Sequence, residues 1–495
     1  MSELITLKDY SELPNNLQSD PDEAEKLRNC LLNLSADQVL SIPEMTETEK
    51  DSFRILTNFN GKYWTQNYIG LLQIEEKNVF IGSRFDDESF FFTQYILDRA
   101  LGMNINILQN MDPGVGSGDI LEQLLAFVFA AQIERAYRKG LYRRYRTYEC
   151  NDSKVKGKID ITRHIRLNPI NNGKIAYSYR EYTADNDVNK MIFTAYTYLQ
   201  KRHPNIMKNL EKKRKTVGEC ITQFRNIMQP ASRQEAQKLV QRERRKITHS
   251  IYHDWEEVRK TAILILRHMG IFVRDAQAEK TIHGVLINMN WVWEQYLQSI
   301  LEDEIKGKGY TFQPQNERET FFRIPDKESQ RKLKPDLCIY KKGNKTTPAL
   351  ILDAKYKNAW SDAAQNGNFN EKSVRESARK SVREDCFQIL AYMYRFRCNK
   401  AGIFCPCPDK NSSHSEYEYY EYAIMDEKDR EEKDREEENK EEEKFYLLPL
   451  YIPHSQESKN NSFKSFKTAM ETNENKFKDQ VILEILEMKK NLKTR

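Results

Sequence analysis

The sequence predicts an α+β multidomain protein, and three observations carry that prediction. Residues 63–85 alternate apolar and polar side chains as paired strands do. Residues 186–280 show mainly helical spacing. Beyond residue 281 the order is helix, strands, helix, strand, which is that of an α/β core with a mixed sheet. The boundaries that follow are a β-containing N-terminal region (1–118), a mainly helical middle with basic patches (119–280) and a C-terminal α/β domain (281–495). A chain of 495 residues accommodates this at about 100–200 residues per domain.

In chain order, the first sixty residues are polar, with one amphipathic helix expected from Asp22 to about Leu40. Tyr68–Ile74 and Val79–Gly82 form a hairpin across a Glu-Glu-Lys-Asn turn. A helix follows over Glu88–Leu101. The Gly-rich stretch 111–118 lacks the Lys-Ser/Thr of a phosphate-binding loop and reads as a connector. Asp119 caps a long helix, Ile120 to Lys139, which Gly140 ends. In the last domain a helix runs from about Asn288 to Ile305, with Trp291, Val292, Tyr296, Leu297 and Ile300 on its apolar face and Glu294 beside it. Strands near 310–315 and 320–324 lead to the hairpin of Asp336 and Asp353. A polar loop over 358–372, a helix through Asp385–Tyr394, a strand over Ala401–Cys405 and a strand over Phe445–Ile452 complete the domain.

Charge points to a polyanionic partner. The formal net charge is +5, but residues 426–443 carry −7, which leaves +12 for the rest. The acidic segment has no apolar residue and is assigned no chemistry. Arg143, Arg144 and Arg146 alternate with tyrosines, a pattern that suits DNA phosphates and bases; a solvated helix end followed by a strand with one basic face describes it slightly better. The eight cysteines include no CxxC pair, so reduced structural thiols are expected rather than a zinc site. No opening leader and no membrane-length apolar run are read, so the expectation is a cytoplasmic protein.

The chemistry concentrates in Lys334-Pro335-Asp336 and Leu352-Asp353-Ala354-Lys355. Positions two apart on a strand share a face, so Asp353 and Lys355 point the same way, and Asp336 can meet them across the ladder. Two carboxylates suit a hard divalent cation such as Mg²⁺, with the Ala354 carbonyl as a further oxygen. A neighbouring lysine can orient or deprotonate an attacking water. Chance also produces such pairs in a chain that is 31% charged, but an acid and an amine at the end of an apolar strand are costly without a ligand.

The order Glu294, Asp336, Asp353-x-Lys355, Gln388-x-x-x-Tyr392 resembles the PD-(D/E)xK nuclease superfamily, in the subset carrying a Gln-x-x-x-Tyr helix. Gln388 and Tyr392 are four apart and share a helix face. The wider chain resembles the McrC family of restriction subunits over roughly residues 60–455. The motifs are Asp119–Glu122 through Tyr142, Val155–Asp160, Arg180–Lys190, Met289–Tyr296 and Leu352–Lys357. It departs at Ile81-Gly82-Ser83-Arg84-Phe85, which lacks an expected proline, and in the acidic segment.

The resemblance implies a Mg²⁺-dependent DNA endonuclease subunit whose partner is a separate McrB-like AAA+ GTPase ring. GTP would be bound by that partner, and the N-terminal half would dock into the ring and stimulate it. Asp336 and Asp353 would be metal ligands, Lys355 would act on water, and Gln388 and Tyr392 would orient Lys355 or the DNA backbone. Glu294 reads either as a helper at the metal or as an ion-paired helix carboxylate. A stand-alone repair or mobile-element nuclease and a non-catalytic activator of a motor remain as alternatives.

Overall fold

The computed structural model describes residues 4–14, 21–43, 45–74, 77–87, 89–101, 118–170, 172–242, 246–266, 284–314, 320–322, 331–344, 346–366, 376–409, 419–423, 443–453 and 462–486. The Gly-rich stretch 111–117 and residues 426–442 of the acidic segment lie outside these. The chain forms two compact units. One comprises residues 1–36, 40–111 and 286–495, and the other 37–39 and 112–285. The two regions that flank the middle of the sequence therefore contribute to one unit.

Among the described residues, that first unit contains two larger sheets besides two two-stranded ones. A five-stranded sheet has the order Leu4–Lys8, Lys77–Gly82, Tyr68–Ile74, Gly284–Asn288, Val39–Ile42. Its Tyr68–Ile74 and Lys77–Gly82 strands pair antiparallel, as their alternation predicts. Leu4–Lys8 joins parallel to Lys77–Gly82, a strand that the polar first sixty residues did not announce. The expected helix there is shorter than read: it spans Pro21–Leu32, burying Ala24, Leu27 and Leu31, and gives way to a 3-10 turn and the Val39–Ile42 strand.

The second sheet is mixed and six-stranded, ordered Tyr310–Pro314, Leu337–Lys341, Leu350–Ala354, Lys400–Pro408, Lys444–Ile452, Tyr420–Ala423. Leu337–Lys341 and Leu350–Ala354 form the predicted antiparallel hairpin. Lys400–Pro408 then pairs parallel to Leu350–Ala354 and to Lys444–Ile452. Strands covered on both sides are apolar throughout, and Leu350, Ile351 and Leu352 are all fully buried. One face packs with the Glu376–Phe396 helix through Ile351, Trp360, Ile389, Met393 and Phe396. On Phe404 lies Trp293 of the Met289–Gly307 helix, with ring centroids 4.6 Å apart and planes within 10°. The Trp293 indole N–H donates to the Phe404 carbonyl at 3.0 Å. Part of the polar loop expected over 358–372 is instead a helix, Asn358–Asn366, anchored by buried Trp360.

The second unit packs helices Gly118–Tyr137, Asp187–Arg202, Pro204–Lys213, Lys215–Ile227, Arg233–Arg242 and His253–Leu266, as the helical spacing predicts. The first begins one residue before the expected Asp119 cap. Several motif residues here serve the backbone. Gly157 has φ +94°, and a Cβ would stand 2.6 Å from the Ser178 carbonyl oxygen. Asp160 and Asn186 cap helices by accepting from the N–H groups of Arg163 and Asn189, both at 3.0 Å.

Glu474 ties three helices of the first unit together. Its carboxylate is 2% exposed and accepts from Tyr95 Oη (2.5 Å), Tyr296 Oη (2.8 Å) and Arg99 Nε (3.3 Å). Removing one member of a buried charged network strands the others, at about 3–5 kcal/mol. Glu474→Ala is expected to lower the unfolding free energy by about 3 kcal/mol in urea denaturation. A loss below about 1 kcal/mol would show that the network is not a staple.

Candidate functional site

Asp336, Asp353, Lys355, Gln388 and Tyr392 come together at one end of the mixed sheet. Pro335 holds the chain extended into Asp336, which sits at the bend just before its strand rather than early within it. The ladder register pairs Leu337 with Leu352, so Asp336 stands opposite Asp353. Asp336 Oδ2 accepts the Ala354 backbone N–H at 2.7 Å, which fastens the two chain segments where the strands stop. Asp353 is 1% exposed, while Asp336 is partly buried.

Lys355 bridges the acids and the following helix. Its Nζ lies 2.5 Å from Asp353 Oδ2 and donates to Gln388 Oε1 at 2.9 Å. Gln388 Nε2 donates to Tyr392 Oη at 2.6 Å, and Tyr392 donates to the Lys334 carbonyl at 3.1 Å. A polar chain thus runs from the lysine through the helix back to the residue before Pro335. Burial disfavours the Lys355 charge, but Asp353 and Asp385 outweigh it, so the ammonium's pKa is raised. In this state Lys355 is a held cation, which suits orienting water and stabilising negative charge more than removing a proton.

Burial pushes the Asp336 carboxyl well above its usual range, helped by Asp353 and Glu294 and opposed by the Ala354 N–H and Lys355. Glu294, on the Met289–Gly307 helix, is therefore within electrostatic reach of Asp336. Among the described residues, no three acidic, histidine or cysteine side chains stand close enough to hold an ion as they are. The donor set nevertheless fits a hard divalent cation. It is all oxygen, and the like charges that crowd Asp336 are what such a cation relieves.

Asp385 was missed by the sequence reading. It is 4% exposed, and it accepts from Lys357 Nζ through both oxygens at 2.8 Å and from Trp360 Nε1 at 2.8 Å. Lys355 Nζ lies 3.6 Å away, so Asp385 shares that lysine with Asp353. Its available signal was its place three residues before Gln388, on the same helix face.

Arg143, Arg144 and Arg146 belong to the other compact unit. Arg143 is exposed. Arg144 and Arg146 lie on the strand Arg144–Asp152 and pair with Asp187 (3.7 Å) and Asp185 (2.8 Å). The tyrosines beside them form a ladder: Tyr148 stacks on Tyr179 at 5.2 Å, and Tyr145 meets Tyr182 at 5.2 Å. Among the described residues, no helix is long and apolar enough to cross a membrane.

Fold and site together define an α+β protein with a carboxylate–lysine cluster at the end of a mixed sheet. A family model described as "McrBC 5-methylcytosine restriction system component" matches residues 64–405, and the chain belongs to that family. Among solved structures, the chain is similar to a refined half-complex from the tetradecameric assembly of Thermococcus gammatolerans McrB AAA+ hexamers with bound McrC. Identity is 15%, coverage 95% of this chain and 99% of that chain, and TM-score 0.43. It is also similar to the Thermococcus gammatolerans McrBC complex solved by cryo-EM, at 18% identity, covering 60% of this chain and 87% of that chain, with TM-score 0.27. No curated protein matches.

A carboxyl with a raised folded-state pKa takes up a proton on folding between its unfolded and folded values. The associated stability is complete below the unfolded pKa and is lost as pH rises through the folded one. Without metal, Asp336→Asn is therefore expected to melt higher than the parent at pH 8. Asn keeps an oxygen for the Ala354 N–H. The difference should vanish by about pH 4, near the free carboxyl value. Scanning calorimetry across pH reads this, and equal melting at pH 8 would refute it.

Proposed function

We propose that this chain is the nuclease subunit of a modification-dependent restriction complex, built on a PD-(D/E)xK core. It hydrolyses DNA phosphodiesters with Mg²⁺ and works with a separate McrB-like AAA+ GTPase in the cytoplasm. The observation that carries this reading is the convergence of Asp336, Asp353, Lys355 and Gln388 at one sheet end, with Glu294 in electrostatic reach. Membership of the McrBC component family supports the restriction setting and the AAA+ partner.

Asp336 and Asp353, with the Ala354 carbonyl, are the residues that would hold Mg²⁺, which when bound polarises a phosphoryl oxygen. Lys355 orients the attacking water and stabilises the negative charge that develops on phosphorus oxygens, a role its raised pKa favours. Gln388 fixes the lysine through its Oε1, and Tyr392 fixes Gln388. Glu294 adds negative charge beside Asp336 and strengthens the site's preference for a cation. Arg143, Arg144 and Arg146, with their tyrosine neighbours, supply DNA phosphate contacts.

In the complex with the AAA+ partner, Lys355→Ala and Asp353→Ala should each reduce cleavage of 5-methylcytosine-containing DNA by about 10²-fold or more. Circular dichroism and partner assembly should be unchanged. Normal cutting by either variant would overturn the site. A second expectation concerns division of labour: the chain alone hydrolyses GTP at background rate and stimulates hydrolysis when added to the partner. Robust GTP turnover by the isolated chain would contradict it.

A further inference from the structure

We propose that Arg84 is a positioning residue for this site, acting on Lys355 through Tyr356; the proposal rests on the nuclease reading above. Arg84 lies in Ile81-Gly82-Ser83-Arg84-Phe85, the segment where the sequence departs from the family pattern. The structure sets that segment against Tyr356, the residue after Lys355. Arg84 Nη2 donates to the Tyr356 carbonyl at 3.0 Å, and its guanidinium stands 4.3 Å from the Tyr356 ring centroid. Ser83 Oγ and Tyr356 Oη are 2.7 Å apart, and Phe85 meets the Tyr356 ring edge-on at 5.3 Å. Asp9, on the residue after the Leu4–Lys8 strand, completes the clamp. Its Oδ1 accepts the Arg84 backbone N–H at 2.6 Å, and its Oδ2 lies 3.6 Å from Nη1.

Consecutive side chains of extended backbone point to opposite faces. Lys355 and Tyr356 follow directly on the Leu350–Ala354 strand, so gripping Tyr356 limits where the adjoining Lys355 can point. The Lys355 N–H is itself held by the Phe404 carbonyl at 2.8 Å. With the Tyr356–Lys357 peptide held by Arg84, the backbone is tied down on both sides of the Lys355–Tyr356 pair. Stability alone explains this arrangement poorly. Asp9 is fully buried, and among the described residues Arg84 Nε, Arg84 Nη1 and Asp9 Oδ2 have no hydrogen-bond partner. Buried ion pairs often return no more than their desolvation costs, and an apolar packing of the same volume is often as stable. A costly cation kept one residue from the reacting lysine is accounted for by placement.

The test is Arg84→Met, which keeps the aliphatic stem and loses the carbonyl bond and the charge, compared with the parent and with Lys355→Ala in the partner complex. We expect kcat for DNA cleavage to fall at least about tenfold with KM unchanged, as displacements of about an ångström do. Stimulation of the partner's GTP hydrolysis should stay at the parent level. Amide exchange measured without metal should speed up across 353–357 and not elsewhere in the sheet. A kcat within twofold of the parent, or unchanged exchange over 353–357, would overturn the proposal. Should Arg84→Met not fold, Arg84→Lys, whose single ammonium cannot reproduce the planar contact, carries the test with the same thresholds. If the parent itself does not cut, or Lys355→Ala cuts normally, the nuclease reading fails instead; the exchange result still reports on the clamp.

Discussion

Everything at this site follows from Asp336 and Asp353 standing opposite each other one step beyond the last rung of an antiparallel hairpin whose strands are buried. The register pairs Leu337 with Leu352 and Ile339 with Leu350, and a slip would break the close packing of residues buried on both faces. With the register fixed, the acids have no freedom to separate. Ala354 gives its backbone N–H to Asp336, which ties the Asp336 carboxyl to the strand that carries Asp353. The sheet's packing thus keeps Asp336 where burial, Asp353 and Glu294 all disfavour its charge.

The lysines divide the surrounding charge between two acids. Lys355 contacts Asp353 at 2.5 Å and Asp385 at 3.6 Å, whereas Lys357 reaches both oxygens of Asp385 at 2.8 Å. Asp385 is held in turn by the Trp360 indole, so its place is set by the core rather than by solvent. Loss of Asp353 would leave Lys355 with a second acid beside it. The lysine's position therefore depends on the helix as well as on the strand, and Gln388 belongs to the same arrangement.

Local chemistry was legible in the sequence, and long-range pairing was not. Asp336, Asp353 and Lys355 could be placed because hairpin pairing and strand alternation act over a few residues. Gln388 and Tyr392 were singled out by the resemblance, and helical spacing added only that they share a face. The Leu4–Lys8 strand was invisible because its partner, Lys77–Gly82, lies some seventy residues away and its own sequence is half polar. The Asn358–Asn366 helix was hidden by its Asn, Ser, Asp and Gln content; its signal was Ala359-Trp360, a buried pair in a polar stretch. Asp385 was overlooked because it stands in a charged run, Arg383-Glu384-Asp385, where only the three-dimensional packing separates a buried acid from two exposed charges. Arg84 was singled out only as a departure from a pattern, since its target, Tyr356, is distant in sequence.

Calorimetric titration with Mg²⁺ at neutral pH tests the central claim most directly, because it asks whether the crowded acids are a cation site before any DNA is present. The account predicts a binding isotherm for the parent that is lost in Asp353→Asn and retained in Asp385→Asn. Undiminished Mg²⁺ binding by Asp353→Asn, or none by the parent, would contradict it.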